Sequence, residues 1–234
     1  MIISPAMMKI FEECPQKYKY IYIDKINLPQ NKYFYQKGKN IHAMANYYLK
    51  GFNIDKLELL LSKDEKSIWT YLKNCNYFKY DCIGSEYQLS CKVDNKWIGG
   101  RLDAFVKNKE DYYILDYKTG SVPENAEYDY QTMVYLLCAD AFLKKYHSLK
   151  FIYIDLKNKT EKIINFDEQL KQEYTEKIKN ILSAINLMKI SQNLLLKNNK
   201  CKCDYYCICD KNWYNKIVTK VVIHKLQKLT NRQK

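Results

Sequence analysis

At 234 residues, with 47% hydrophobic and 15% aromatic content, the chain can bury the core of one sizeable α/β domain, which argues against global disorder. Lysine and arginine outnumber aspartate and glutamate by 39 to 26, and the net charge of +13 points to a polyanionic partner, either nucleic acid or an anionic membrane surface. No apolar run approaches the roughly 20 residues that span a bilayer, and "MIISPAMMKIFEEC" lacks the basic start and long apolar stretch of a secretory signal; the expected location is therefore the cytoplasm, with no membrane partner.

Ser4-Pro5 has the form of an N-cap followed by a first helical residue, opening a helix that reaches Glu13. Residues 35–50 and 55–79 carry apolar spacing near 3.6, for example Leu57, Leu60, Leu61, Ile68 and Leu72, which predicts helices. The period then drops to two. "EYQLSCKV", "KWIGGRLDAFV" and "YYILDYK" read as successive strands, with turns at Asp94-Asn95 and Asn108–Asp111. A helix from about Ala126 to Tyr146 follows, then strands "KFIYIDL" and "EKIINF", then a helix from Glu168 to about Leu196. The expected class is α/β, with a mixed central sheet flanked by helices. One domain spans 1–234: an N-terminal helical part (1–80), the sheet with its crossing helix (81–166), a long helix (167–196) and a tail (197–234). The tail sets ten basic residues against Asp204 and Asp210.

Within "GRLDAFVKNKEDYYILDYKTG" the apolar runs bury Leu102, Ala104-Phe105-Val106 and Ile114-Leu115, yet Asp103, Asp116 and Lys118 interrupt them. An unpaired charge there is costly. In a meander Asp103 and Asp116 lie on neighbouring strands and converge, and Lys118 shares a face with Asp116. Two carboxylates and an ammonium are the parts of a hard-cation site, with oxygens for Mg²⁺ or Mn²⁺ and a lysine to position water. The bland reading is a solvated strand face with an incidental ion pair.

"GRLDAF" followed by "ILDYKTG" resembles the core of the PD-(D/E)XK nuclease superfamily in its RecB-like branch. "QTMVY" fits that branch's Q-x-x-x-Y motif, "GKNIH" its G-x-x-x-H motif, and "CPQKYKY" its C-P-x-x-Y-x-Y opening. The order of motifs covers nearly the whole chain. The resemblance implies a restriction-endonuclease-like core. It makes His42, Asp103 and Asp116 metal ligands, with the Tyr117 carbonyl a further one. Lys118 would orient or activate the attacking water. Gln131 and Tyr135, at i and i+4 of one helix face, would border the site and contact the DNA backbone or order Lys118. Glu86, ahead of the first strand, is a further candidate for the acidic cluster.

Cys201, Cys203, Cys207 and Cys209 fall within nine residues. In a reducing compartment such density suggests zinc or an iron–sulfur cluster. The stand-alone CRISPR-associated RecB-like exonucleases and the AddB-type nuclease domains join one N-terminal cysteine to three C-terminal ones around a [4Fe–4S] cluster. Cys14 occupies the matching N-terminal place, and a clasp of this kind would stabilise the fold by closing a long loop. The spacing here is C-x-C-x-x-x-C-x-C, so one of the four is surplus. The five-residue gap between Cys203 and Cys209 fits, and Cys201 ranks ahead of Cys207. A four-cysteine zinc site in the tail is the rival. Cys75, Cys82, Cys91 and Cys138 read as small buried hydrophobes.

The resemblance therefore implies a metal-dependent DNA nuclease, an exonuclease acting on single strands or ends. Its setting would be DNA repair or recombination, phage DNA processing or CRISPR adaptation, with protein partners of such complexes. The alternative is a non-catalytic nucleic-acid-binding or scaffold module on the same fold. Retention of His42, Asp103, Asp116 and Lys118 together favours catalysis.

Overall fold

The β-hairpin at the centre of the sequence starts from a turn that only a few residue types tolerate. Asp94 and Asn95 both hold left-handed backbone, at φ +48° and +60°, as a two-residue turn matched to strand twist requires. From it the chain runs out into two 13-residue strands, β1 (Asp81–Val93) and β2 (Lys96–Asn108), paired antiparallel. The computed structural model describes residues 1–26, 28, 36–190 and 203–209, giving only the backbone of 36–38, 189–190 and 207. It divides into two units: residues 1–9 with 31–190, and residues 10–30 with 191–234.

The first unit is built on a five-stranded sheet in the order β1-β2-β3-β4-β5. β3 (Asp111–Lys118) pairs antiparallel with β2, β4 (Ser148–Asp155) parallel with β3, and β5 (Thr160–Phe166) antiparallel with β4. Among the described residues of both units the α-helices are α1 (Pro5–Glu13), α2 (Pro15–Tyr18), α3 (Gln36–Leu49), α4 (Asp55–Leu60), α5 (Lys63–Asn74), α6 (Tyr130–Phe142), α7 (Glu168–Ile190) and the single turn α8 (Tyr206–Cys209), with α2 and α8 in the second. The predicted helix over 55–79 is interrupted. Leu61 turns to extended backbone, and Ser62 opens α5 with a reciprocal cap, its Oγ accepting from the Glu65 N–H at 3.3 Å while Glu65 Oε2 accepts from the Ser62 N–H at 2.9 Å. The crossing helix is shorter than predicted, because Asp129 caps it by accepting from the Gln131 N–H at 2.9 Å. β1 begins five residues earlier than expected, so Glu86 lies inside the strand and not ahead of it.

Both faces of the sheet are covered, and the strand period of two decides which side chain meets which helix. Ala104, Val106, Leu115, Tyr117, Ile152 and Ile154 join one cluster with Ile41 and Ala45 of α3 and Trp69 and Leu72 of α5. The alternate residues face α6: Phe105 meets Phe142 edge-on, Phe151 stacks with Tyr135, and Tyr153 Oη is 2.9 Å from Thr132 Oγ1. Nine residues of α6 are buried, all round its circumference, as suits a helix laid against the sheet's middle. Cys75, Cys91 and Cys138 are buried, and Cys82 is half-buried. No helix among the described residues is long and apolar enough to cross a membrane.

In the second unit Phe11 meets Tyr18 edge-on at 5.3 Å, and Tyr18 is fully buried. A π-helical turn over Lys19–Ile23 follows α2, and Tyr20 of this turn stacks on Tyr205 at 5.8 Å. Tyr205 Oη also donates to the Ile26 carbonyl at 2.8 Å.

Candidate active site

Asp103 and Asp116 are brought together by register. Ala104 pairs with Leu115 across β2 and β3, which sets Asp103 opposite Asp116 one step further along. Asp103 Oδ2 accepts from the Tyr117 N–H at 2.8 Å, where β3 ends its pairing with β2. That bond ties the carboxylate to the backbone and leaves Oδ1 for other partners.

His42 enters from α3. Its Nδ1 lies 3.2 Å from Asp103 Oδ1, and its Nε2 donates to the Tyr117 carbonyl at 3.0 Å. Two acceptors on two ring nitrogens describe an imidazolium. Burial alone would lower its pKa; hydrogen bonding and charge from Asp103, with Asp116 and the Tyr117 carbonyl, outweigh it, and the net displacement is upward.

Asp116 is the buried member, 3% exposed. Burial first, then the charge of Asp103, push its carboxyl up to about 6, against the opposing pull of Lys118 and His42. Lys118 Nζ lies 2.8 Å from Asp116 Oδ2 and donates to Gln131 Oε1 at 3.0 Å. The Gln131 amide nitrogen in turn donates to Asp116 Oδ1. Asp116, Lys118 and Gln131 thus close a ring of contacts, roofed by Tyr153, whose ring centroid is 5.5 Å from Lys118 Nζ. Tyr135 plays another part. It is 7% exposed, and its hydroxyl donates to the Arg101 carbonyl at 3.0 Å. Gly100 makes that approach possible, since a Cβ there would meet Tyr135 Oη at 2.8 Å.

Glu86 completes the acidic cluster. One ligand atom each from His42, Glu86 and Asp103 lies within 4.8 Å of the others, and among the described residues this is the one such group of three. Glu86 holds φ at +51°, a left-handed conformation rare for a residue with a long side chain and unexpected inside a strand. Strain of this kind collects at functional sites. The sequence offers Glu86 as a candidate for the acidic cluster, ahead of the first strand; the structure sets it within β1, opposite Asp103.

A cation fits the residues present. Oxygen donors from Asp103, Asp116, Glu86 and the Tyr117 carbonyl, with one imidazole, are hard ligands suited to Mg²⁺ or Mn²⁺ and unlike the thiolate sets of structural zinc. Asp116 Oδ2 is buried and has no hydrogen bond aligned on it, although Lys118 pairs with its charge, so a lone pair remains for a metal. Two cavities flank the cluster. One, of about 750 Å³, is lined by Lys39, His42, Asn46, Glu86, Arg101 and Asp103. The other, of about 550 Å³, is lined by Lys9, Arg101, Lys118, Tyr130, Gln131 and Tyr135 among others.

In the second unit Cys14 is buried at the N-terminus of α2, and Cys203 and Cys209 are half-buried. Cys209 Sγ is 3.9 Å from Tyr20 Oη, so the C-terminal turn meets the segment that follows Cys14. Cys201 and the side chain of Cys207 lie outside the described residues, as does the end of the long helix expected to reach Leu196. Of the other histidines, His147 is exposed and pairs with Asp111 at 2.8 Å, and His224 lies outside the described residues.

A five-stranded mixed sheet flanked by helices, with two carboxylates and a lysine at the ends of its central antiparallel pair, defines a restriction-endonuclease-like α/β fold. The profile of the PD-(D/E)XK nuclease superfamily matches residues 66–210, and the chain belongs to that superfamily. No functionally curated protein matches the sequence. Among solved structures, a candidate exonuclease from Eubacterium rectale is similar in fold, with a TM-score of 0.60 at 10% identity over 88% of this chain and 87% of that one. The structure of SSO0001 is 16% identical over 90% of this chain and 86% of that one, with a TM-score of 0.41.

Proposed function

We propose that the chain is a Mg²⁺- or Mn²⁺-dependent deoxyribonuclease of the RecB-like branch, an exonuclease whose single nuclease domain spans 1–234. The observation that carries this reading is the convergence of Asp103 and Asp116 one step beyond the last β2–β3 pair, with Lys118 and His42 on either side. The likeness in fold to a candidate exonuclease and the net charge of +13 support it.

His42, Asp103, Asp116 and the Tyr117 carbonyl would hold the cation, with Glu86 a further donor. Bound there, it would neutralise phosphate charge and lower the pKa of a water near it. The protein's own residues do the rest. Asp103, anchored on the Tyr117 N–H, fixes the end of β3 against β2. Lys118 keeps a positive charge beside the carboxylate of Asp116 and is held in place by Gln131, so it can orient a water and offset the negative charge that grows at phosphorus. Water adds across one P–O bond of the backbone, giving a 5′-phosphate and a 3′-hydroxyl as the superfamily implies. Cys14 with three of Cys201, Cys203, Cys207 and Cys209 would carry a structural [4Fe–4S] cluster, with zinc as the rival. The work would be done in the cytoplasm, on single strands or DNA ends, in repair, recombination, phage DNA processing or CRISPR adaptation, and with partners from such complexes.

The test is digestion of end-labelled single- and double-stranded DNA by anaerobically purified protein in Mg²⁺, Mn²⁺ or EDTA, beside Asp116→Ala and Lys118→Ala. Cleavage that needs the cation and is lost in both variants is expected. Intact DNA throughout, with binding retained, would move the protein to the scaffold reading. Iron, sulfide and zinc content of the same preparation, with Cys14→Ser alongside, separates the cluster from zinc.

A further inference from the structure

Arg101 is one of two arginines in a chain of 37 lysines, and the other, Arg232, lies outside the described residues. Its side chain is 71% exposed, yet it is not idle. Nε lies 2.8 Å from Glu86 Oε2, and that is its one ion pair among the described residues. Only the inner nitrogen is engaged, which leaves the two terminal amino groups of the guanidinium for another partner. Its main chain is pinned, because Tyr135 Oη donates to the Arg101 carbonyl from a buried position over Gly100. A fixed backbone beneath an exposed, half-satisfied guanidinium is a poor arrangement for stability and a good one for recognition.

Position along β2 narrows the ligand. Arg101 and Asp103 are two residues apart, so they share a face at about 7 Å, a spacing comparable to that of successive phosphates along a nucleic-acid strand. Arg101 is also the residue that lines both cavities, the one holding Lys39, His42 and Asp103 and the one holding Lys9, Lys118 and Gln131. A strand passing the cation site from one cavity to the other must pass Arg101. The planar fork suits the non-bridging oxygens of a phosphate in a way that a lysine's single ammonium does not.

We infer that Arg101 grips the backbone phosphate next to the one that is cut, and that Glu86 holds the guanidinium in place until a strand arrives. This rests on the nuclease reading of the same site and adds a substrate-binding residue to it. Glu86 and Arg101 then act in opposite senses. Removing the arginine deletes a phosphate contact. Neutralising Glu86 deletes a negative charge that repels the phosphate arriving beside it on the same guanidinium.

The experiment is equilibrium binding of a fluorescent single-stranded oligonucleotide in EDTA, at several salt concentrations, to wild type, Arg101→Ala, Arg101→Lys and Glu86→Gln. Wild-type cleavage in Mn²⁺ is recorded in parallel. Arg101→Ala should bind about 10-fold more weakly, with the slope of log K against log salt reduced by about 0.7, the value for one contact on a single strand. Arg101→Lys should recover only part of the loss, and Glu86→Gln should bind more tightly than wild type by roughly 3-fold. If the arginine served only to hold Glu86, both single changes would move binding in the same direction, and that result overturns the inference. Equal affinity of Arg101→Ala and wild type, or full recovery by lysine, also overturns it while leaving a cleaving wild type as a nuclease. A wild type that neither binds nor cleaves removes both readings.

Discussion

The two halves of the site solve the problem of grouped charge differently. On one side Asp103 sits where β2 stops pairing with β3, lines the larger cavity, and is answered by the Tyr117 N–H and by the His42 imidazole, whose pKa is raised. On the other side Asp116 is almost wholly buried and is answered by Lys118 and Gln131, side chains that lock one another. The first half is compensated by something exchangeable: a proton on imidazole can give way to a metal ion. The second is compensated by fixed groups of the protein. A site needs both kinds, since a half that is fully satisfied internally binds nothing and one without fixed partners holds no geometry.

Removing the fixed half should show the largest effect. Lys118→Ala is expected to reduce cleavage by about 10³-fold, in line with loss of a positioned cation at the developing negative charge, while Mn²⁺ affinity by calorimetry stays near wild type. Gln131→Ala touches the same half at one remove. It loosens Lys118 and Asp116 without deleting either, and should cost on the order of 10–100-fold in cleavage rate, with Gln131→Glu as a probe of whether the amide donor to Asp116 is what matters.

The pH dependence of stability sharpens the contrast. Asp116 has its carboxyl raised in the fold from 3.8 to about 6, and the His42 imidazole is raised above its usual 6.5. A group whose pKa rises on folding stabilises the protein fully below its unfolded value and ceases to do so as pH climbs through the folded one. Both groups therefore act in one direction. The cation-free protein should lose stability as pH climbs from about 4 to about 7, by roughly 3 kcal/mol from Asp116, and Mn²⁺ should reverse the trend because it binds the deprotonated groups. Denaturant midpoints in EDTA check this, and Asp116→Asn should flatten the curve. Cation-free stability that rises with pH would contradict it. The smallest effect is remote from the site: Ser62→Ala removes the reciprocal cap of α5 and should cost about 1 kcal/mol with cleavage unchanged.

Much of this architecture is legible in the sequence, for identifiable reasons. Asp103, Asp116 and Lys118 stand out because charge interrupts apolar runs of period two, and the Asp94-Asn95 turn fixes the register of β1 against β2. His42 is legible only through the spacing of its motif, because a helix residue that meets a strand some 75 positions later leaves no local trace. Glu86 and Arg101 illustrate the remainder. The left-handed backbone at Glu86 is a tertiary outcome, and a single arginine two residues before Asp103 has no periodic signature until it is seen to meet Glu86 at 2.8 Å. The split at Ser62 was open to reading, since Ser62 and Glu65 have the spacing of a capping box, but the continuous run of leucines ahead of it masks the break.

The most direct test compares Lys118→Ala with wild type at equal Mn²⁺ occupancy, following release of label from the end of single-stranded DNA. Occupancy should be unchanged while release falls by about 10³-fold, separating the residues that hold the cation from the lysine that works on water. Release near the wild-type rate at the same occupancy would contradict the division of labour and with it the catalytic role given to Lys118.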